Sequence, residues 1–132
     1  MLSTLVLVTA LVGQKGVIDN VAPRIGYVSV SSRLLVGRRD GTPRERVAWL
    51  VYRDLLGDRD ADAIEGDGLV PVRSALLPGA ASLVFDDVSH GQWPGRPWYG
   101  SDEPLDRWWP LALRAWNDAL CARATAAASA SR

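Results

Sequence analysis

Residues 83–91 read LVFDDVSHG, an apolar run that ends at His90, the only histidine in the 132-residue chain. Aliphatic and aromatic residues bounded by a Ser-His-Gly turn are typical of a buried strand that leads into a loop, and we expect this strand over residues 82–88. A histidine takes up and returns a proton near neutral pH, which suits it to general acid–base catalysis. The stretch therefore predicts a strand with a candidate catalytic base directly after it.

A second loop signal lies upstream at residues 66–71, GDGLVP. A carboxylate bonded to one ring nitrogen of a histidine fixes its tautomer and steadies the charged ring, and Asp67, held between two glycines, fits that role. Asp-Gly is also an ordinary turn dipeptide in any protein. Asp86 and Asp87 lie closer to His90 in sequence and are alternative partners, weaker because we expect them on the strand itself.

The clearest helix signal covers residues 43–56. Thr42 can cap the helix, Pro43 suits its first position, and Glu45 completes a capping box with Thr42. Gly57 is a typical C-terminal stop. Apolar residues recur at helical spacing and are expected to form the buried stripe: Val47, Leu50, Val51 and Leu55.

The remaining pattern alternates strands and helices. We expect a strand at 25–31, turns at 33–41, an acidic loop at 58–65 and a short helix at 74–77. A closing helix should begin near Pro110 and fray over 125–132. Its expected apolar face is Leu113, Trp116, Leu120 and Cys121. This order predicts an α/β fold with a mostly parallel sheet, in a single domain over residues 1–132.

Composition excludes several functions. The 15 basic and 15 acidic residues balance, so the chain has no cationic surplus for a nucleic-acid partner. One cysteine, Cys121, permits no internal disulfide, and the sparse His and Cys content predicts neither a metal site nor a cofactor. The oligomeric state is left open.

The apolar segment at residues 1–13 resembles a signal peptide at first sight. It lacks a basic start and a small-residue cleavage site, and it is shorter than the roughly 20 apolar residues that a spanning helix needs. We therefore favour a buried element, no transmembrane segment and a cytoplasmic protein, with a signal peptide as the alternative.

Several stretches together resemble the C-terminal part of bacterial lipases and esterases with the α/β-hydrolase fold. They are residues 66–71 (GDGLVP), 74–80 (SALLPGA), 88–91 (VSHG), 98–101 (WYGS) and 106–109 (DRWW). The resemblance covers about residues 25–120. It implies that Asp67 is the acid and His90 the base of a Ser-Asp-His triad, and that the complete enzyme hydrolyses a small-molecule ester or a lipid through an acyl-serine intermediate.

The chain lacks the nucleophile motif of this family. The family places its serine upstream of the acid in a Gly-x-Ser-x-Gly turn. The upstream serines are Ser3, Ser29, Ser31 and Ser32, and none has glycines at those positions. We therefore expect a truncated hydrolase, a C-terminal segment with negligible esterase activity by itself. The alternative is a non-enzymatic small α/β protein that acts by binding a partner.

Tryptophan is abundant, with six residues in the chain. We expect Trp108, Trp109 and Trp116 to pack against other elements. Trp93 and Trp98 lie on the loop after His90, where they either line a substrate pocket or pack.

Overall fold

A computed structural model of the chain describes residues 6–7, 26–57 and 61–130. In chain order its elements are β1 (Val6–Leu7), β2 (Tyr27–Ser32), β3 (Leu35–Arg38), α1 (Pro43–Leu56), β4 (Ala63–Gly66), α2 (Val72–Ala75), β5 (Ala81–Phe85) and α3 (Asp102–Ala130). The interpretation of residues 1–13 as one buried element or a signal peptide lies outside the described residues, except for the short strand β1.

A small parallel sheet confirms the α/β prediction. β2 is central and pairs in parallel with both β1 and β5. Val28 lies opposite Ala81 and Ser32 opposite Phe85, so β2 and β5 end at the same edge of the sheet. Both strands were expected from their apolar, strand-favouring composition, and their bounds differ from the expected ones by one to three residues. The loop that carries His90 leaves from this shared edge.

An antiparallel pair, β3 with β4, was not expected, since residues 33–41 and 58–65 were predicted as turns and loop. Each strand has only four residues, and β3 contains Gly37. In β4, Ile64 and Gly66 are buried while Ala63 and Glu65 are exposed, which is the alternation of a strand with one covered face. Segments this short become strands because they pair with each other, and that pairing is invisible to local pattern.

Helix α1 begins and ends where its capping signals predict. The Glu45 amide donates to Thr42 Oγ1 at 3.4 Å, and the Thr42 amide donates to Glu45 Oε2 at 2.7 Å, so the capping box is formed. Gly57 adopts a left-handed conformation with φ 66°, which suits a residue without a Cβ atom.

The buried face of α1 differs from the predicted one. Ala48, Trp49 and Tyr52 are buried and pack with Ile64 of β4. The predicted stripe is wrong for Val47 and Leu50, which are 61% and 47% exposed, whereas Val51 is partly buried and packs against this cluster. The aromatic side of the helix turns inward because its partner is the β3–β4 pair. The Trp49 indole also donates a hydrogen bond to the carbonyl of Ala61, two residues before β4, at 2.6 Å.

Gly37 allows α1 to approach β3 closely. A Cβ atom at this position would lie 2.6 Å from the backbone nitrogen of Trp49, and backbone cannot move aside cheaply. We expect Gly37→Ala to lower the free energy of unfolding by about 2 kcal/mol, as overpacking does. Urea unfolding followed by tryptophan fluorescence measures this. Gly91→Ala is the control, since a Cβ there meets open space, and equal losses in the two variants would contradict the close approach.

Helix α3 is longer than expected, and Pro110 lies inside it rather than at its start. The predicted apolar face is also wrong. Leu113 and Leu120 are 46% and 40% exposed, and Cys121 is exposed. The buried residues are instead Pro104, Trp108, Ala112 and Ala119. Small alanines bring the helix backbone close to its neighbour: a Cβ atom on Gly26 would lie 2.3 Å from the Ala115 carbonyl oxygen.

The predicted frayed tail at 125–132 is helical as far as Ala130. Trp108 is buried as expected, whereas Trp109 is 43% exposed and Trp116 only half-buried. Trp108 and Ala112 of α3 share one core cluster with Val28, Val30, Phe85 and Val88. In the described part of the chain, no helix combines the length and apolarity that a membrane span requires.

Candidate functional site

Asp67 and His90 meet in the folded chain. His90 Nδ1 lies 3.0 Å from Asp67 Oδ2, and the side chains are 32% and 4% exposed respectively. A carboxylate only accepts hydrogen bonds, so this geometry places the ring hydrogen on Nδ1. The alternative partners, Asp86 and Asp87, are both exposed and lie beyond the end of β5. The two residues singled out from their loops thus form one contact, and their catalytic role stays a prediction.

The acid turn follows β4, a strand of the antiparallel pair rather than of the parallel sheet. Asp67 Oδ1 accepts hydrogen bonds from the amides of Leu69 (3.0 Å) and Val70 (2.7 Å). The Asp67 amide donates in turn to the Val70 carbonyl at 3.1 Å. An aspartate that bonds the backbone two and three residues ahead holds a tight turn, so the same carboxylate builds the loop and faces His90.

Gly68 is required by the conformation of this turn. Its φ of 101° is a backbone geometry that residues with a side chain rarely adopt. A Cβ atom there would also lie 2.5 Å from the Trp93 ring. Trp93 therefore packs over the acid turn, and the Arg44 guanidinium lies over its ring, 5.1 Å from the centroid. Of the two interpretations of Trp93, a pocket-lining residue or a packing residue, these contacts favour packing.

Tyr99 is a further partner of Asp67. Its hydroxyl donates to Oδ2, the oxygen that also faces His90, at 2.9 Å. Burial raises the pKa of Tyr99 far above its ordinary value, and the adjacent Asp67 charge raises it further, so the phenol stays protonated and remains a donor. The sequence interpretation assigned Tyr99 no role of its own, although it lies in the WYGS stretch of the family resemblance.

Tyr52 connects α1 to the acid turn from the other side. It is fully buried, and its hydroxyl oxygen accepts a hydrogen bond from the Gly68 amide at 2.7 Å. Burial raises the pKa of Tyr52 to about 12, although the bond from Gly68 opposes that rise. Nothing in the local sequence pattern distinguished this tyrosine from an ordinary core residue.

The histidine loop is fixed by backbone contacts on both sides of the site. The His90 amide donates to the Asp67 carbonyl at 3.2 Å, so the two loops are joined by backbone as well as by side chains. Ser89 is fully buried, and its hydroxyl lies 2.7 Å from the Gly91 carbonyl and 2.9 Å from the Pro97 carbonyl. His90 is therefore presented by a rigid turn.

A cavity of about 680 Å³ opens beside His90. Most of the residues that line it are apolar, namely Leu50, Val51, Leu55, Leu69 and Val70. Arg53 and Asp54 are the two charged lining residues. Three members of the predicted buried stripe of α1, Leu50, Val51 and Leu55, thus line a cavity, and of these Val51 also packs against the core cluster. Among the described residues, Nε2 of His90 has no hydrogen-bond partner. That nitrogen can therefore exchange a proton with a bound group.

Among the described serines considered as nucleophiles, none makes a hydrogen bond to His90. Ser29 and Ser32 are buried in β2 and accept hydrogen bonds from the amides of Leu77 (2.9 Å) and Val88 (3.1 Å). Ser31 is buried too, with a hydroxyl that has no partner. Ser3 lies outside the described residues. Over the ranges that the structure describes, no group of three potential metal ligands forms either.

Comparison with family models, with curated proteins and with solved structures gives no match to this chain. The geometry of the site is therefore the basis for any functional conclusion.

Proposed function

We propose that this chain carries the acid–base pair of a serine hydrolase of the α/β-hydrolase superfamily, which hydrolyses carboxylic esters or lipids. This proposal rests on the 3.0 Å contact between Asp67 Oδ2 and His90 Nδ1. The Asp67 carboxylate is buried and is itself held by two backbone amides. A histidine oriented in this way, which lines a cavity and has no hydrogen bond on its other nitrogen from any described residue, has the arrangement that general-base catalysis needs.

In the proposed reaction, Nε2 of His90 takes the proton from a serine hydroxyl as its oxygen attacks the ester carbonyl. Asp67 keeps the hydrogen on Nδ1 and stabilises the ring while it is positively charged. The tetrahedral intermediate then collapses to the acyl-serine, and the proton passes from Nε2 to the departing alcohol oxygen. Water, deprotonated by the same nitrogen, then attacks the acyl-serine carbonyl; the bond to the serine oxygen breaks, Nε2 returns the proton to that oxygen, and the acid leaves.

The nucleophile of this reaction comes from outside the 132 residues, which contain no Gly-x-Ser-x-Gly segment. Without an activated nucleophile the covalent route is closed. In this proposal the chain corresponds to the C-terminal strands and helices of a larger hydrolase fold.

The cavity supports an ester or lipid as the substrate class. Leu50, Leu69 and Val70 present apolar surface beside His90. Binding the hydrocarbon part of a substrate there would remove apolar surface from water, which is favourable by about 0.8 kcal/mol for each buried methylene. The volume also lies within the range of ordinary small-molecule sites.

The direct test is hydrolysis of a short-chain nitrophenyl ester by the purified 132-residue chain and by its His90→Ala variant. We expect no turnover by the chain above that of the variant. Turnover that disappears with His90 would show that a nucleophile, a serine or an activated water, resides within these residues. The proposed location of the nucleophile would then be wrong.

Partner binding without catalysis is the second candidate, favoured by exposed apolar surface. Val47, Leu50 and Leu69 are 61%, 47% and 47% exposed, and such surface can mark an interaction site. An interface function would be lost in Leu50→Asp and retained in His90→Ala. Light scattering across a concentration series would test self-association, and a monomer at every concentration would leave that function without support.

A further inference from the structure

We propose that Tyr99 weakens the Asp67–His90 hydrogen bond by donating to the same acceptor oxygen, an inference that rests on the proposed hydrolase function. Asp67 Oδ2 lies 3.0 Å from His90 Nδ1 and 2.9 Å from the Tyr99 hydroxyl. Two donors on one oxygen divide its negative charge between them. Tyr99 is thus a positioning residue that acts on the histidine through the carboxylate.

The carboxylate does not need Tyr99 to stay in place. Its other oxygen, Oδ1, already accepts from the Leu69 and Val70 amides, and the Asp67 amide closes the same turn. Removal of the phenol hydroxyl therefore leaves Asp67 anchored. What changes is the charge available on Oδ2, because a hydrogen bond to an ionised group stabilises that charge and weakens its pull on a second donor.

Tyr99 is held firmly by its surroundings. Its carbonyl accepts a hydrogen bond from the Trp108 indole at 2.8 Å, which fixes its backbone to α3. Its ring meets Phe85 edge-on with 6.3 Å between centroids, and it meets the His90 ring at 90° and 6.4 Å. The Ser89–Pro97 backbone bond at 2.9 Å ties the intervening loop to the histidine turn. The core thus specifies where this hydroxyl lies.

Sharing of the acceptor suits a base that must also act as an acid. The carboxylate has to stabilise the charged ring while His90 holds the serine proton, yet the ring must then give that proton to the leaving alcohol. An Asp67 whose Oδ2 faced only His90 would hold the charged ring more strongly. The Tyr99 hydroxyl offsets part of that attraction.

Nuclear magnetic resonance of the complete chain tests this, since the only histidine gives one set of ring signals. The readout is the chemical shift of the His90 Nδ1 proton, which moves downfield as its hydrogen bond strengthens. We expect a downfield move in Tyr99→Phe. Tyr27→Phe is the matched control at the amino end of β2, away from the edge that carries His90, and it should leave the shift unchanged.

An unchanged or upfield-shifted His90 Nδ1 proton in Tyr99→Phe would overturn the inference. A variant that merely loosened the packing around the site would weaken the Asp67–His90 hydrogen bond and would not move this proton downfield. If that variant fails to fold, incorporation of 3,5-difluorotyrosine at position 99 keeps the ring and strengthens the donor. The proton should then move upfield, and a downfield move would overturn the inference. A hydrogen on Nε2 in the unmodified chain would instead refute the proposed function itself, so the two failures are distinguishable.

Discussion

Replacing Asp67 with alanine is expected to lower the free energy of unfolding by about 3–5 kcal/mol, the range seen when one partner of a buried polar network is removed. The carboxylate is almost completely buried and holds two backbone amides, the Tyr99 hydroxyl and His90. Alanine would leave these donors without an acceptor and would release the turn at Gly68. Urea unfolding monitored by tryptophan fluorescence gives the change.

Asp67→Asn is the matched control for that loss. The asparagine oxygen can still accept from Leu69 and Val70, so we expect the turn to persist and the cost to stay at about 1–2 kcal/mol. An alanine variant no less stable than the asparagine variant would contradict the account, because the carboxylate would then not be holding the acid turn.

A second large effect is expected on catalysis. In the longer product that the proposed function requires, with a Gly-x-Ser-x-Gly segment, His90→Ala should lower kcat/KM for an ester by about 10⁴-fold or more, since the general base is lost. No other histidine within these 132 residues could replace Nε2. Steady-state kinetics on that product, with folding checked by circular dichroism, provide the measurement.

Ser82→Ala serves as the control for this experiment, since Ser82 is exposed on β5 and makes no hydrogen bond to Asp67 or His90 in the described structure. Its kcat/KM should match that of the unmodified product. A His90→Ala variant within tenfold of the unmodified enzyme would show that His90 is not the base and would refute the proposed function.

Local signals predicted the parts of the fold that depend on local energetics. The Thr42–Glu45 capping box and Gly57 set the bounds of α1, and its helical structure follows from bonds within a few residues. β2 and β5 were evident from their composition. The order of two loops along the chain was also enough to bring Asp67 and His90 forward as a pair.

Contacts between residues distant in sequence determine the features of the fold and site that local signals did not predict. Which side of α1 is buried depends on the β3–β4 pair, and Leu50 and Leu55, which were predicted to be buried, line a cavity instead. Tyr52 and Tyr99 reach the acid turn across 16 and 32 residues of chain. No periodicity encodes such contacts, so both tyrosines were missed even though they surround the predicted acid.

The hydrogen position on His90 is the measurement that tests the central claim most directly. Ring ¹⁵N chemical shifts of the neutral histidine distinguish the two tautomers. We expect the hydrogen on Nδ1 in the unmodified chain and on Nε2 in Asp67→Asn, because the asparagine NH₂ would then face Nδ1 as a donor. A hydrogen on Nε2 in the unmodified chain, or the same tautomer in both proteins, would contradict the assignment of Asp67 and His90 as an acid–base pair.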